Sequence, residues 1–271
     1  MLPTRIKRAA KELAGRKASG RLLTVKPSDT FITSYPKSGN TWVRFLIANM
    51  LYPDGSTDFM NVNQRVPDIY TRPDSELLAL QEPRFLKSHE YFDPRYPKVL
   101  YIVRDVRSVI VSYYHHLTLI GRISKNMEMI EFVKNFLNGQ VDGYGSWKEN
   151  VLSWIKVKGD DPDNFLLIRY EDLQSNTSEH VSTMCQFLAK PADKAEIELI
   201  VELSQFERMK ALESAGIDLR SLNTPMKKIS NTKGFVRSGR TSDWQSSLEP
   251  HILEVIYQSC GSLLEELGYE V

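Results

Sequence analysis

The amino-acid sequence predicts an α/β protein: a single domain with a doubly wound parallel sheet flanked by helices and a P-loop-like turn after the first strand. Strand-like and helix-like segments alternate along the chain, as this architecture requires. The run Lys98–Arg104 is β-branched and apolar, which is typical of a parallel strand buried on both faces. Within Thr30–Leu46, an apolar strand, a Pro-Lys-Ser-Gly turn and an amphipathic helix follow one another. The 271 residues, 41% of them hydrophobic, suffice for one large core of this kind.

The individual elements follow from the apolar periodicity and the turn residues. The predicted strands are Asp29–Tyr35, Arg84–His89, Lys98–Arg104 and Phe165–Tyr170. The predicted helices are Thr41–Leu51, Asp105–Leu119, a segment from about Ser178, and Pro250–Leu267. The segment Tyr52–Pro73 is rich in Pro, Asp, Gly and Asn and is predicted to be a loop. Ligands in such a sheet lie beyond the carboxyl ends of the strands, where Lys37, His89 and Arg104 fall.

Charge divides the chain into a basic N-terminal arm, residues 1–28, and a domain formed by residues 29–271. Between Arg5 and Lys26 there are eight basic residues and one acid, Glu12, a local charge of +7. Apolar residues fall at helical spacing in the same segment: Leu2, Ile6, Ala9, Ala10 and Leu13. Two interpretations stay open. The arm is a basic amphipathic helix that contacts a membrane surface or an acidic partner, or it is a solvated terminal segment.

Composition excludes several classes of protein. Lys and Arg number 35 against 34 Asp and Glu, so no overall positive field points to a nucleic-acid partner. The two cysteines, Cys185 and Cys260, lack the spacing of a metal site or a disulfide framework and fit a reducing compartment. No apolar run approaches the length of a membrane span or of a signal-peptide core. We therefore expect a cytoplasmic protein with no metal site.

The turn after the first predicted strand has the properties of an anion site. Backbone N–H groups are free at a helix N-terminus, and the helix dipole favours an anion there. Lys37 adds a positive charge, and Ser38 and Thr41 add hydroxyl donors. In the usual nucleotide P-loop the lysine follows the second glycine, whereas Lys37 precedes Gly39. The sequence therefore predicts a phosphate-binding turn whose anion is not an ATP triphosphate with magnesium.

Two further groups of residues carry chemistry. Arg104 ends a predicted strand and Ser112 follows about two helical turns later, so both can face a second phosphate. Alternatively, Arg104 pairs with a nearby acid, Asp105, Glu171 or Asp172. Lys87 and His89 lie two apart on one strand and share a face, which suits proton abstraction beside a cation. The alternative for His89 is a structural or surface role.

In this order and spacing, the segments resemble the soluble sulfotransferases that use 3′-phosphoadenosine 5′-phosphosulfate (PAPS), over about Thr30–Trp244. The family's 5′-phosphosulfate loop is similar to Tyr35–Trp42, its 3′-phosphate segment to Tyr101–Tyr113, and its catalytic lysine-threonine-histidine to Lys87-Ser88-His89. The other matched segments are Tyr170-Glu171-Asp172, Ser204–Met209 and the late loop Arg237-Ser238-Gly239. The chain also departs from the family: Asn40 replaces a phosphate-binding threonine, and Ser238 replaces a lysine. The dimerisation motif of animal members is nearly absent around Gln245–Glu254, so a dimer of that kind is not implied.

The resemblance implies in-line transfer of a sulfuryl group from PAPS to a hydroxyl or amine of a small-molecule acceptor. It assigns His89 as the base, with Lys37, Lys87 and Thr41 binding the developing charge and no metal required. The nucleotide-binding residues that it implies are Lys37, Ser38, Gly39, Asn40, Thr41, Trp42, Arg104, Ser112, Tyr170, Ser204, Phe206, Met209, Arg237, Ser238 and Gly239. A P-loop small-molecule kinase and a non-catalytic nucleotide-binding module are the alternatives. The acceptor and the oligomeric state stay open.

Overall fold

Four parallel strands form the centre of the protein in the computed structural model, which describes residues 20–158, 161–214 and 243–271. The strands are β1 (Thr30–Ser34), β2 (Phe85–Ser88), β3 (Lys98–Val103) and β4 (Phe165–Arg169), in the spatial order β2-β1-β3-β4. All three pairings are parallel. The chain passes from β1 to β2 on one side and then to β3 on the other side. The sheet is therefore doubly wound, with its switch point between β1 and β3, and the predicted fold class is confirmed.

Helices cover both faces of the sheet in the described parts of the chain. In chain order they are α1 (Asn40–Leu51), α2 (Val62–Arg65), α3 (Asp74–Leu78), α4 (Val106–Leu119), α5 (Met129–Leu137), α6 (Trp147–Lys158), α7 (Tyr170–Ser175), α8 (Thr177–Phe187), α9 (Lys194–Leu203), α10 (Phe206–Ser214) and α11 (Pro250–Glu266). A single 3₁₀ turn, Gly20–Leu22, precedes β1. None of the helices in these described ranges has the length and apolar character needed to cross a bilayer.

The strands divide their side chains between two hydrophobic cores, because successive residues of a strand point to opposite faces. Phe31 and Tyr101 belong to the core shared with α4, α5, α6 and α11. Ile32 and Leu100 belong to the core shared with α1, α8 and α9. All five residues of β1 are buried, as expected for a central parallel strand covered on both faces, although three of them carry hydroxyl groups.

The predicted strands are all present, each one or two residues shorter than expected. The helix after β3 begins at Val106, one residue later than predicted, because Asp105 caps it: its carboxylate accepts a hydrogen bond from the Arg107 backbone N–H at 2.8 Å. One expectation was wrong: the segment Tyr52–Pro73 is not entirely loop. It contains α2, and Asp68 forms a parallel β-bridge with Lys87.

Residues 20–28, which the sequence assigns to the basic arm, pack against the domain. Leu23 is buried in the first core. The Gly20 N–H donates to the Ile69 carbonyl at 2.9 Å, and the Thr24 carbonyl accepts from Arg84 at 2.9 Å. The rest of the arm, residues 1–19, lies outside the described residues, and so does the predicted amphipathic helix.

Candidate active site

The turn between β1 and α1 has an unusual backbone at two positions. Lys37 has a φ of 69° and Gly39 a φ of 93°, both in the left-handed region. A left-handed backbone costs an L residue such as Lys37 about 1–2 kcal/mol, so the surrounding structure holds the turn in this form. Ser38 is fully buried, and its Oγ has no hydrogen-bond partner in the described parts of the chain. A buried hydroxyl with no partner inside a basic turn is a ready donor for an anion.

Gly39 is required by its neighbour as well as by its backbone angle. A Cβ at this position would lie 2.3 Å from Cδ2 of Tyr170, the first residue after β4. The Tyr170 ring also packs edge-on to Trp42, with 5.7 Å between the ring centroids. The ring of Tyr170 therefore presses directly on the turn, and only glycine leaves it room.

Asn40, the first residue of α1, ties the turn to β1. Its Nδ2 donates to the Ile32 carbonyl at 3.1 Å and to the Ser34 hydroxyl at 3.2 Å. Both amide protons are thus used inside the protein, so the Asn40 side chain holds the turn in place rather than donating to an anion. Thr41 follows in the first helical turn and is half-buried.

Arg104 follows β3 and adjoins the same turn. Its Nη1 donates to the Lys37 carbonyl at 3.2 Å, and its guanidinium carbon lies 4.4 Å from the centroid of the Tyr170 ring. Of the acids that were the alternative partners of Arg104, Asp105 binds Arg107 at 2.7 Å and Asp172 lies 3.7 Å from Arg169. Glu171 is within electrostatic reach of Arg104. Ser112 is half-buried two turns later in the unbroken helix α4. The Arg104 side chain and the backbone of Lys37 therefore meet at the switch point of the sheet.

His89 lies just past the end of β2 and is only 8% exposed. Its Nδ1 is 2.7 Å from the Ser34 carbonyl oxygen. Because a carbonyl can only accept, Nδ1 carries the proton, and Nε2 keeps a lone pair. Within the described parts of the chain, Nε2 has no hydrogen-bond partner. The backbone of His89 is held at both ends, since its N–H donates to the Tyr70 hydroxyl at 2.9 Å and its carbonyl accepts from Asn150 at 3.1 Å.

Burial keeps the His89 imidazole neutral. The pKa of His89 is lowered to about 3, and burial is the largest cause. The cations Lys87 and Arg44 act in the same direction, whereas the charge of Asp68 and the hydrogen bond to the Ser34 carbonyl oppose them. The neutral tautomer with its lone pair on Nε2 is the form that can accept a proton. Two aromatic rings flank the imidazole: Tyr70 is nearly parallel to it at 6.1 Å, and Tyr144 meets it edge-on at 5.3 Å.

Lys87 lies beside His89 and is not isolated. Its Nζ is 2.5 Å from the Asp68 carboxylate, and both side chains are largely buried, with 16% and 13% exposed. Burial lowers the pKa of Lys87, Asp68 raises it, and Arg44 lowers it again. The ammonium therefore lies in a charged cluster that the sequence did not reveal.

The residues predicted to contact the adenine are mostly buried or half-buried. Ser204 is fully buried: its carbonyl accepts from Trp42 Nε1 and its hydroxyl from Asn49, both at 2.9 Å. Met209 is packed in the second core, and Phe206, the first residue of α10, is half-buried. Ser204 therefore positions Trp42, which is half-buried and packs edge-on to the Tyr170 ring beside the turn. The late loop, Arg237, Ser238 and Gly239, lies outside the described residues.

Some residues of the site were missed by sequence reasoning. Asp68 and Tyr70 lie in the segment that was expected to be loop. Their contacts with β2 and His89 join distant parts of the chain, so the sequence around Asp68 and Tyr70 does not indicate them. Asn150 is fully buried and joins the His89 carbonyl to the Tyr101 hydroxyl, whose hydrogen bond to it is 2.8 Å. His116 follows Ser112 by four residues on α4, a spacing that places both on one face, and it lies within electrostatic reach of Lys37.

Comparison with known proteins gives consistent results. A family model described as "Sulfotransferase domain" matches residues 27–268. The chain is 32% identical over 232 residues to 3-beta-hydroxysteroid sulfotransferase of Cavia porcellus, covering 82% of this chain and 78% of that protein. It is 32% identical over 234 residues to Sulfotransferase 2B1 of Homo sapiens, covering 82% of this chain but 62% of the relative's length.

A solved structure shares the fold. Retinol dehydratase, in complex with androsterone and the inactive cofactor PAP, superposes with a TM-score of 0.74 at 21% identity, covering 93% of this chain and 84% of that one. At this identity the likeness concerns the fold alone. It places the doubly wound sheet and its carboxyl edge in a known architecture.

Proposed function

Because this chain belongs to the sulfotransferase family, we propose that it transfers the sulfuryl group of PAPS in line to a hydroxyl or amine of a small-molecule acceptor, with His89 as the base. One observation carries the proposal. A neutral histidine with its lone pair on Nε2 lies beside a lysine at the same sheet edge as an anion-binding turn. This arrangement combines a proton acceptor with the cations needed at an anionic centre.

The residues at the turn fit a nucleotide with two separate anionic groups. The backbone N–H groups of the turn, Lys37 and the buried Ser38 hydroxyl would hold the 5′ side. Arg104 and Ser112 would hold a 3′-phosphate, to which a guanidinium binds well. Trp42, Tyr170 and Phe206 would contact the adenine, with Ser204 and Met209 packed behind them. For Arg237, Ser238 and Gly239 a role at the 3′-phosphate rests on the sequence resemblance.

When bound, PAPS supplies the sulfuryl group and a phosphate leaving group. Transfers of this type need positioning and charge stabilisation rather than a covalent enzyme intermediate. His89 would take the acceptor proton on Nε2, and the Ser34 carbonyl would hold the resulting imidazolium through Nδ1. Lys37, Lys87 and Thr41 would bind the negative charge that is present during transfer.

The acceptor would approach His89 between two tyrosine rings. Tyr70 and Tyr144 meet edge-to-face with 5.4 Å between their centroids and flank the imidazole. Of the other aromatic residues in this part of the chain, Trp147 is buried in the core, and Phe92 packs on Trp154. An apolar body with a hydroxyl or amine at its end is the acceptor shape that fits this setting. The buried free thiols of Cys185 and Cys260 agree with the prediction of a cytoplasmic location.

The first test is a comparison of nucleotides by thermal shift. We expect 3′,5′-bisphosphoadenosine, the product nucleotide, to stabilise the protein by about 2.7 kcal/mol at 100 times its Kd. For a domain of this size each kcal/mol raises Tm by about 2–4 °C. The Arg104→Ala variant should lose most of this shift. Arg95→Ala, which changes a half-exposed arginine paired with Asp93, is the matched control and should keep the shift.

Other outcomes would change the assignment. A shift only with ATP and magnesium would favour a small-molecule kinase. A shift with the bisphosphate, but no transfer of label from ³⁵S-PAPS to any of a panel of phenols, alcohols and amines, would point to a non-catalytic nucleotide-binding module.

A further inference from the structure

Asp68 lies opposite Lys87 because the backbone places it there. The Lys87 N–H donates to the Pro67 carbonyl at 2.8 Å, and the Ile69 N–H donates to the Lys87 carbonyl at 3.3 Å. These two bonds form the parallel bridge that adds residues 67–69 to the edge of β2. The ion pair between the two side chains, at 2.5 Å, is therefore set by the pairing of two chain segments and not by two flexible surface side chains.

The Asp68 carboxylate is held at several points. One oxygen accepts the Tyr70 N–H at 2.9 Å while the other binds Lys87. The Asp68 N–H donates to Asn63 Oδ1 at 3.0 Å, and its carbonyl accepts from the Thr71 hydroxyl at 3.0 Å. A carboxylate fixed in this way also fixes the ammonium that it binds.

Arg44 connects this cluster to the helix of the anion-binding turn. It is a buried residue of α1, and its guanidinium donates to the Val66 carbonyl at 2.6 Å and to Asn63 Oδ1 at 3.0 Å. Asn63 in turn holds the backbone of Asp68. With Arg44 and Lys87 each at +1 and Asp68 at −1, the cluster keeps one net positive charge beside His89.

We propose that Asp68 is a positioning residue for the transfer reaction: it holds the Lys87 ammonium charged and aimed at the transferring group beside His89. The proposal rests on the sulfuryl transfer proposed above. It goes further by assigning an acidic residue to a site that otherwise binds anions. A carboxylate within such a site weakens the attraction for an anion, and holding Lys87 charged and in place offsets this cost.

The charges around Lys87 explain why it needs this partner. Burial lowers the pKa of Lys87, and Arg44, which faces it from α1, acts in the same direction; Asp68 is the group that raises it. His89, its neighbour on β2, is neutral and gives no compensating charge. Without Asp68 the ammonium would lose its proton at a lower pH, and the transferring group would then meet a neutral amine.

The decisive experiment measures Lys87 directly in the nucleotide-free protein. Lysine labelled with ¹³C at Cε is incorporated, the Lys87 resonance is assigned by its loss in Lys87→Arg, and its titration midpoint is followed by NMR. In Asp68→Asn we expect the midpoint to fall by about 1 pH unit or more, the usual effect of losing a contacting opposite charge. Asp54→Asn, which removes the partner of Arg65 at an exposed site, is the matched control and should leave the midpoint unchanged. An unchanged midpoint in Asp68→Asn would overturn the proposal.

The same variants separate positioning from general stability in activity assays. For Asp68→Asn, the alkaline limb of kcat should move to lower pH by the same amount, with the KM for PAPS nearly unchanged. A rate lowered equally at every pH would assign Asp68 a purely structural role. Asp68→Glu keeps the charge but moves it by one methylene, so it should retain the NMR midpoint and lose about tenfold or more in kcat.

The two proposals can fail separately. If no acceptor is sulfated by the wild-type protein, the proposed function fails, while the NMR titration still decides whether Asp68 controls the charge of Lys87. If Asp68→Asn does not fold, Asp68→Glu remains decisive, because a wild-type kcat in that variant would overturn the positioning role.

Discussion

At the scale of single residues, His89 shows how an environment selects one nitrogen of an imidazole. The Ser34 carbonyl binds Nδ1, burial keeps the ring neutral, and the two tyrosine rings limit its movement. The same ring at an exposed position would exchange its proton between both nitrogens. The proposed base is therefore defined by its contacts as much as by its residue type.

Replacing His89 should remove the base and leave the nucleotide site intact. We expect His89→Ala to lower kcat by about 10²–10⁴-fold, the usual contribution of a positioned base, with the Kd for 3′,5′-bisphosphoadenosine retained. The exposed His251→Ala, at a side chain that is 60% exposed, serves as the control. Since the pKa of His89 is lowered to about 3, wild-type kcat/KM should stay level as pH falls from 8 to 5. Normal turnover by His89→Ala would contradict the assignment.

Asn40 and Ser204 illustrate what sequence cannot show at this scale. Their positions in the motifs were readable, but the direction of each side chain was not. The Asn40 amide turns back to the Ile32 carbonyl, and the Ser204 hydroxyl is bound to Asn49. Both side-chain orientations provide hydrogen bonds to buried polar groups, and the partners come from other segments of the chain.

At the scale of elements, the turn between β1 and α1 depends on the start of α7. The Tyr170 ring fills the space that a Cβ at Gly39 would occupy, and it also carries the Arg104 guanidinium on its face. Elements that follow three different strands thus meet at one aromatic ring. A change in the turn is therefore transmitted to the arginine side of the site.

Gly39→Ala should expose this dependence. We expect a loss of about 1–2 kcal/mol from the left-handed backbone and about 1–3 kcal/mol more from the clash with Tyr170. Binding of 3′,5′-bisphosphoadenosine should weaken in parallel. Gly143→Ala, at a glycine whose added Cβ would meet nothing within 4 Å, is the matched control.

A double variant divides the two contributions. In a Tyr170→Ala background, Gly39→Ala should cost only the backbone part, as measured by urea denaturation. If Gly39→Ala lowers the free energy of unfolding equally in both backgrounds, the Tyr170 ring moves aside at no energetic cost.

The element scale is also where sequence predicted most. The four strands and the main helices were readable because parallel strands buried on both faces form short apolar runs bounded by turn residues. Lys37, His89 and Arg104 were expected at one edge because the carboxyl ends of parallel strands meet there. The bridge between Asp68 and Lys87 was not readable, because it pairs a Pro- and Asp-rich segment with a strand 19 residues away. Local composition indicated a loop, and tertiary contact decided otherwise.

At the scale of the whole molecule, two histidines, the buried His89 and the half-buried His116, link stability to pH. Burial lowers the pKa of His89 and of His116 to about 3 in each case, below the ordinary value near 6.5. As pH falls below 6.5, the unfolded chain takes up protons that the folded protein does not. The stability contributed by the neutral rings is therefore complete above about pH 6.5 and declines between that pH and about 3.

The expected size of this effect is measurable. For His89 the free energy of unfolding should fall by about 1.4 kcal/mol per pH unit below 6.5, or about 2 kcal/mol at pH 5. Urea denaturation at pH 7 and pH 5 gives the difference, and His89→Gln should reduce it. The exposed His251→Gln is the control and should show the wild-type difference. If His89→Gln loses as much stability as the wild type between the two pH values, His89 is not buried as a neutral group.

The contact between His89 and the Ser34 carbonyl has one more consequence, for the end of the catalytic cycle. Because Nδ1 is hydrogen-bonded to that carbonyl, a proton accepted at Nε2 can leave only from Nε2, on the side of the ring where the acceptor binds. The sulfated product occupies that face until it departs. Regeneration of the enzyme would then follow product release in strict order, and small buffer acids and bases would act on turnover only after the pocket has emptied.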